Sequence, residues 1–186
     1  MADVNSPLHM LDFIGAPQLA AFLVLLQRGV EELYSAHNTR GLIAAGAREA
    51  SSAYYPVVAA THLTWIASLG FLVPSEAPII WPLLGYYLAL QVVRYWVIAS
   101  LGRFWTHRII TLPEAPIIAR GPYRYLHHPN YAVTIVETLV LPLAFGALAL
   151  GLIMTALWWT VLDYKIRLED EALDPRRLAQ RSTARK

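Results

Sequence analysis

The sequence predicts an all-α integral membrane protein of about five transmembrane helices, the last two a helical hairpin, with a cytoplasmic C-terminal helix. Three observations predict it. Of the 186 residues, 56% are hydrophobic and only 15% are charged, against about 25% charged in an average soluble domain. Mean hydropathy is +0.43, far too high for a disordered chain. The basic residues also cluster at alternate connections between the apolar stretches, with six Trp and ten Tyr available for membrane–water interfaces.

The elements follow in order, each judged against the roughly 20 apolar residues a spanning helix needs. The first covers about 13–33 and is charged at its far end; with no Lys or Arg before Arg28 it lacks a signal-peptide n-region, so cleavage is not expected. The second covers about 54–73, between Pro56 and Pro74. The third covers about 78–101 and carries Arg94 in its last turns. The stretch 131–163 makes two short spans, with Pro142 and Gly146 where a tight hairpin turns; one long bent helix is the alternative. The segment after Asp163, LEDEALDPRRLAQRSTARK, reads as a helix leaving the membrane towards a basic end that meets solvent or anionic lipid.

Charge orients these spans. Arg28, Arg40 and Arg48 surround the first connection; Arg103, Arg108, Arg120 and Arg124 crowd the third; Lys165, Arg167 and five more basic residues fill the tail. The connections near 74–78 and 145–151 have no Lys or Arg. Five spans with the N-terminus out and the C-terminus in put every basic residue but Arg94 at the cytoplasmic side, as the positive-inside rule requires. Without an internal repeat or linker, residues 1–186 read as one domain. The absence of cysteine excludes disulfides, thiol chemistry and Cys-based zinc sites; neighbouring histidines without a close third ligand argue against any metal. Nothing suggests a nucleic-acid partner, and the oligomeric state is left open.

Four features are candidates for chemistry. GPYRYLHHPNY (121–131) is turn-rich, aromatic and basic; its ordinary reading is an interfacial anchor, with Pro129 opening a helix. RLEDEAL (167–173) reads as a solvated helix face, or as a polar wall holding a zwitterion through carboxylates and Arg167. Glu137 lies about two turns inside the fourth span, where a carboxylate is expensive and suggests function. Arg94 is its obvious partner, so the ordinary reading of both is a neutralised packing pair.

The first two features together resemble the C-terminal signature of isoprenylcysteine carboxyl methyltransferases and related phospholipid methyltransferases: Gly121, Tyr123, His128, Pro129 and Tyr131, a hairpin, then Arg167, Glu169, Asp170 and Leu173. The likeness covers about 94–173. His127 stands where the family usually has Arg, and Asp170 replaces a second Glu. The stretch RYWVIASLGRFWTHRIITLPEAPIIARGPYRYLHHPNY also resembles a bacterial branch that O-methylates long-chain alkylpyrones and alkylresorcinols.

The resemblance implies methyl transfer from S-adenosylmethionine, bound on the cytosolic side, to a lipophilic acceptor entering from the bilayer, in a bacterial inner membrane. It implies cofactor contacts from Tyr123, His128, Pro129, Tyr131, Glu169 and Asp170. Arg167 would orient the acceptor oxygen, and Glu137 or His127 would serve as base for a hydroxyl acceptor; a carboxylate needs none. Arg94, Trp96 and Trp105 are candidates for the acceptor site, although the tryptophans also suit an interfacial belt. The competing readings are a phospholipid amine N-methyltransferase and a small transporter built on an Arg94/Glu137 pair; no inverted repeat supports the latter.

Overall fold

The computed structural model describes residues 14–112, 115 and 118–183, with side chains described as far as residue 172. Five helices dominate the described residues: α1 (Ala16–Ala44), α2 (Tyr55–Leu72), α3 (Trp81–Leu101), α4 (Pro129–Leu143) and α5 (Leu148–Thr183). Two short strands, β1 (Arg48–Ser51) and β2 (Ile109–Thr111), pair antiparallel with Arg48 opposite Thr111.

Proline opens every one of the first four helices, at Pro17, Pro56, Pro82 and Pro129. Its fixed φ and missing N–H suit a first helical turn, where the N–H has no partner within the helix. The predicted hairpin is present. Pro142 falls in the last turn of α4, and the chain reverses through Gly146 at φ +72°, a conformation that favours glycine. The second arm and the C-terminal helix, expected as separate pieces, are one continuous α5 of 36 residues. No glycine or proline interrupts 152–174, so nothing in the backbone stops the helix where the apolar run ends.

Three of these helices are long and apolar enough to cross a membrane: Tyr55–Leu72, Trp81–Phe104 and Leu148–Ala172. α1 carries Arg28, Glu31 and Glu32 within its length. α4, with 15 residues, reaches only about 22 Å at 1.5 Å per residue. Many large apolar side chains point outwards, including Phe71, Val92, Ile153 and Trp159, the surface expected of a protein solvated by lipid rather than water.

The connections gather at two ends. The α2–α3 connection and the α4–α5 turn, both without Lys or Arg, touch, Ile80 N donating to Ala144 O at 2.8 Å. Gln18 of α1 reaches the same end and donates to the carbonyls of Gly70 and Val73. At the other end, β1 and β2 tie together the two connections richest in arginine. The apolar core between them centres on Trp65, Leu69, Leu90, Leu141 and Met154.

Across that core runs a charged network. Arg94 on α3 donates to Glu31 on α1 through Nε (2.8 Å) and Nη2 (2.7 Å), a bidentate pair, and to Glu137 on α4 through Nη1 (3.1 Å). Arg28 on α1 bridges the same carboxylates at 2.7 and 2.8 Å. Gln91 donates to Glu137, Gln27 donates to Glu31 and Gln91, and Thr134 accepts from Arg94. The two guanidiniums and two carboxylates cancel in charge, and Glu31, Arg94 and Glu137 are all buried.

Removing one member leaves its partners charged, buried and unbalanced, which typically costs about 3–5 kcal/mol. Glu31→Ala is therefore expected to lower the unfolding free energy in detergent by about that amount, measured by denaturant titration of helical circular dichroism.

Candidate active site

The polar residues of α1 fall at helical spacing. Glu31 and Glu32 follow Arg28 by three and four residues, and Ser35 and Asn38 continue at steps of three, so one stripe of the helix turns inwards. Its first half holds the charged network and its second half holds the segment after α3. Asn38 Nδ2 donates to Trp105 O at 2.8 Å, and Ser35 Oγ accepts from His107 N at 2.8 Å. Glu32 Oε2 lies 2.7 Å from His107 Nδ1. Trp105 is buried between Tyr34, stacked at 5.9 Å, and the edge-on His107 ring at 4.7 Å.

The signature segment is braced against α3. Gly121 has φ +56°, and a Cβ there would strike the side chain of Ser100 and crowd the Trp96 indole. Glycine is required on both counts. Arg120 Nε donates to Ser100 O at 2.9 Å. Pro129 then opens α4 and carries Tyr131 inwards.

The two separated halves of the signature meet. Tyr131 Oη donates to Glu169 Oε2 at 2.5 Å, joining the first turn of α4 to α5. The His128 ring stacks on Tyr131 with centroids 5.3 Å apart, and His128 Nε2 lies 3.5 Å from Asp170 Oδ1. Tyr123 sits nearby; burial, with the negative charge of Glu169 in support, raises its pKa above the ordinary tyrosine value.

Below this junction lies a cavity of about 270 Å³. Val58, Ala59, Leu63 and Ile66 of α2 and Trp158 and Leu162 of α5 make its apolar wall. Its polar wall brings together Arg28, Glu32, His107, Asn130, Tyr131 and Lys165. Asn130 Oδ1 is buried and makes no hydrogen bond, an acceptor that a bound molecule would satisfy. Lys165 Nζ is buried, donates to His107 O at 3.1 Å, and lies over the rings of Tyr54 (5.3 Å) and Tyr131 (5.0 Å). Tyr54 Oη donates to the same His107 carbonyl at 2.9 Å.

The sequence-derived candidates divide on this geometry. Tyr123, His128, Pro129, Tyr131, Glu169 and Asp170 gather at the α4–α5 junction. Arg94 lines the cavity but its fork is committed to Glu31 and Glu137. Glu137 sits inside the network, accepting from Arg28, Arg94 and Gln91. His127 is exposed, and Arg167 is 74% exposed and paired with Asp163 one turn earlier at 2.8 Å; neither borders the cavity. Trp96 lies half-exposed on α3 against Gly121, and Trp105 is packed behind His107. Leu173 and the basic residues beyond it fall outside the described side chains.

Sequence reasoning passed over Glu32, His107 and Lys165. Lys165 counts as one more positive-inside charge, and Glu32 and His107 are 75 residues apart. The usable signal was the inward polar stripe of α1. Among the described residues no cluster of His, Asp and Glu has the arrangement of a metal site.

The fold is that of an integral membrane protein with helices long and apolar enough to span, its signature folded against a long final helix. The isoprenylcysteine carboxyl methyltransferase family pattern matches residues 83–175, and the chain belongs to this family. It is 32% identical over 155 residues to the uncharacterized protein YpbQ of Bacillus subtilis, covering 81% of this chain and 92% of that protein. It is 31% identical over 80 residues to an uncharacterized protein of Haemophilus influenzae, covering 42% of this chain and 46% of the other. No solved structure matches the chain.

The Tyr131–Glu169 hydrogen bond carries a charged acceptor, so its loss typically costs about 1.5–3 kcal/mol. Tyr131→Phe is expected to lower stability by about that much and to speed amide exchange in the α5 turns around Lys165–Asp170, read by hydrogen–deuterium exchange.

Proposed function

We propose that the protein is an S-adenosylmethionine-dependent O-methyltransferase acting on a lipophilic acceptor at the cytoplasmic face of the inner membrane. The observation that carries this reading is the junction of the two signature halves, Tyr131 bonded to Glu169, with Tyr131 also lining a largely apolar cavity that has a polar wall.

The residues at the junction suit the cofactor. It bears an ammonium, a sulfonium and an adenine ring, and the junction offers the Glu169 and Asp170 carboxylates, the stacked faces of His128 and Tyr131, and the unsatisfied acceptor of Asn130. Glu169 and Asp170 would hold the cationic groups, and His128, Tyr131 and Tyr123 would flank the ring, with Pro129 fixing the turn that aims them. When bound, S-adenosylmethionine supplies a methyl group on positively charged sulfur.

The chain's own residues do the rest. Aromatic and aliphatic side chains from α2 and α5 exclude water and take the apolar part of the acceptor. Holding the acceptor oxygen in line removes much of the entropic barrier to displacement. The charged network keeps α1 and α4, which both contribute to the polar wall of the cavity, at fixed separation, directly through Arg28–Glu137 and by way of Arg94 of α3. Because that network is closed and electrically balanced, it offers a transported ion no unpaired charge, which weighs against the transporter reading. The basic connections and tail orient the chain with its C-terminus in the cytoplasm, where the cofactor is made.

The test is label transfer. Lipid vesicles containing the purified chain, methyl-labelled S-adenosylmethionine and a long-chain alkylresorcinol or alkylpyrone are expected to yield organic-extractable label stable to mild base, as for a methyl ether. Glu169→Gln at equal protein should reduce it at least about tenfold, the equivalent of about 1.4 kcal/mol of lost binding or transition-state stabilisation. Label released by base as methanol would point to a carboxylate acceptor instead. No label with either acceptor class, from protein that also fails to bind the cofactor, would contradict the reading.

A further inference from the structure

A carboxylate–imidazole pair lies on the cavity's polar wall, apart from the signature residues Gly121–Leu173, although His107 falls within the matched region 83–175. Glu32 Oε2 is 2.7 Å from His107 Nδ1. A carboxylate only accepts, so the shared proton sits on Nδ1 and the lone pair of the neutral imidazole is on Nε2, the nitrogen Glu32 does not engage. The ring borders the cavity. It is held there on three sides: Ser35 accepts from its backbone N–H, Trp105 packs against its edge, and its carbonyl takes Lys165 and Tyr54. A carboxylate that orients a histidine on a cavity wall, leaving its other nitrogen without that partner, is the arrangement general-base chemistry needs.

The surroundings favour the neutral, proton-accepting form. Burial pushes the imidazole below the ordinary histidine range, and Lys165 and Arg94 add to that, against the opposing pull of Glu32. The charged and titratable groups that share the cavity with it or lie against it are Arg28 and Glu32 from α1, Tyr54, Tyr55 and His62 from α2, Arg94 from α3, Tyr131 from α4 and Lys165 from α5. Lys165 is the second element. Its ammonium is buried, and among the described residues it has no carboxylate within salt-bridge distance. A buried ammonium on a cavity wall stabilises an anion formed beside it.

Resting on the methyltransferase reading, we propose that His107 is the general base for an acceptor whose reacting group is a weakly acidic hydroxyl, an enol or phenol, that Glu32 is the residue positioning it, and that Lys165 stabilises the oxyanion. A carboxylate acceptor is ionised near neutral pH and gives such a base nothing to do. The acceptor O–H bond breaks, its proton forms an N–H bond at Nε2, and its electron pair stays on oxygen. That pair forms the new O–C bond to the methyl carbon of the sulfonium donor while the C–S bond breaks and its pair remains on sulfur as a neutral thioether. The imidazolium returns its proton to water.

The first readout needs no methyl donor. The full chain in lipid nanodiscs is mixed with a 4-nitrophenol carrying a decyl chain, at a pH below the probe's own pKa, and phenolate absorbance is recorded. The wild type is expected to raise the phenolate fraction at least about fivefold over empty nanodiscs, and His107→Gln to lose most of that rise. The second readout is methylation with S-adenosylmethionine present. His107→Gln should lower turnover of an unactivated alkylphenol by about 10²–10⁴-fold, while the alkyl nitrophenol, tested above its pKa, loses less than about threefold. Glu32→Gln, at a half-exposed position, should lower kcat about tenfold with little change in KM, and should move the acidic limb of the pH profile down, since Glu32 raises the His107 pKa. No rise in phenolate with the wild type, or equal loss on both phenols in a His107→Gln protein that still binds the cofactor, overturns the assignment. Failure of the methyltransferase reading looks different: the probe ionises, yet the wild type methylates neither phenol, and the base role falls with it.

Discussion

Everything in this fold is arranged around two arginines and two glutamates that share a buried interior. Arg28 and Glu31 belong to α1, Arg94 to α3 and Glu137 to α4, and each guanidinium touches both carboxylates. An isolated charge in such a place is prohibitive, and even a pair often fails to recover its desolvation. A closed, bidentate and amide-supported set satisfies nearly every lone pair and donor. Its geometric demand is strict. α1, α3 and α4 meet at one depth and one rotation, because sliding any of them by a turn would strand a charge.

That constraint explains how so short a helix as α4 is placed with accuracy. Glu137 anchors its middle, and six residues earlier, on the same helix, Tyr131 meets Glu169 of α5. The inward stripe of α1 acts in the same way. Glu31 fixes the helix rotation, and that rotation aims Glu32 and Ser35 at His107, one turn nearer the basic end. Structural charge and candidate chemistry are therefore neighbours along a single stripe, and the network fixes how α1 and α4 meet at the cavity's polar wall.

The helical class, the hairpin turn at Pro142–Gly146 and the signature residues were legible in the sequence, because hydropathy, proline position and a contiguous motif are local signals. So was the partnership of Arg94 and Glu137, from the cost of leaving either unpaired. Arg28 and Glu31 were not. They sit at the charged end of the first span, where the same residues would be read as meeting headgroups, and only the tertiary fold turns them inwards. His107 was hidden in a connection read for its charge, and its partner lies 75 residues away. His127 was the more conspicuous histidine by position in the motif, yet the 3₁₀ turn at Gly121–Arg124 and the start of α4 leave it exposed while His128 turns towards α5. Continuity of α5 was also missed, since a change from apolar to charged residues ends a membrane span without ending a helix.

The account's central claim is that the α4 start and the charged turns of α5 form one cofactor site. Photo-crosslinking of labelled S-adenosylmethionine to the purified chain in nanodiscs, followed by peptide mapping, tests it most directly. The account predicts label on peptides containing Tyr123–Tyr131 or Glu169–Asp170, competed away by unlabelled cofactor. Competable label confined to α2 or to the α2–α3 connection, at the opposite end of the bundle, would contradict it.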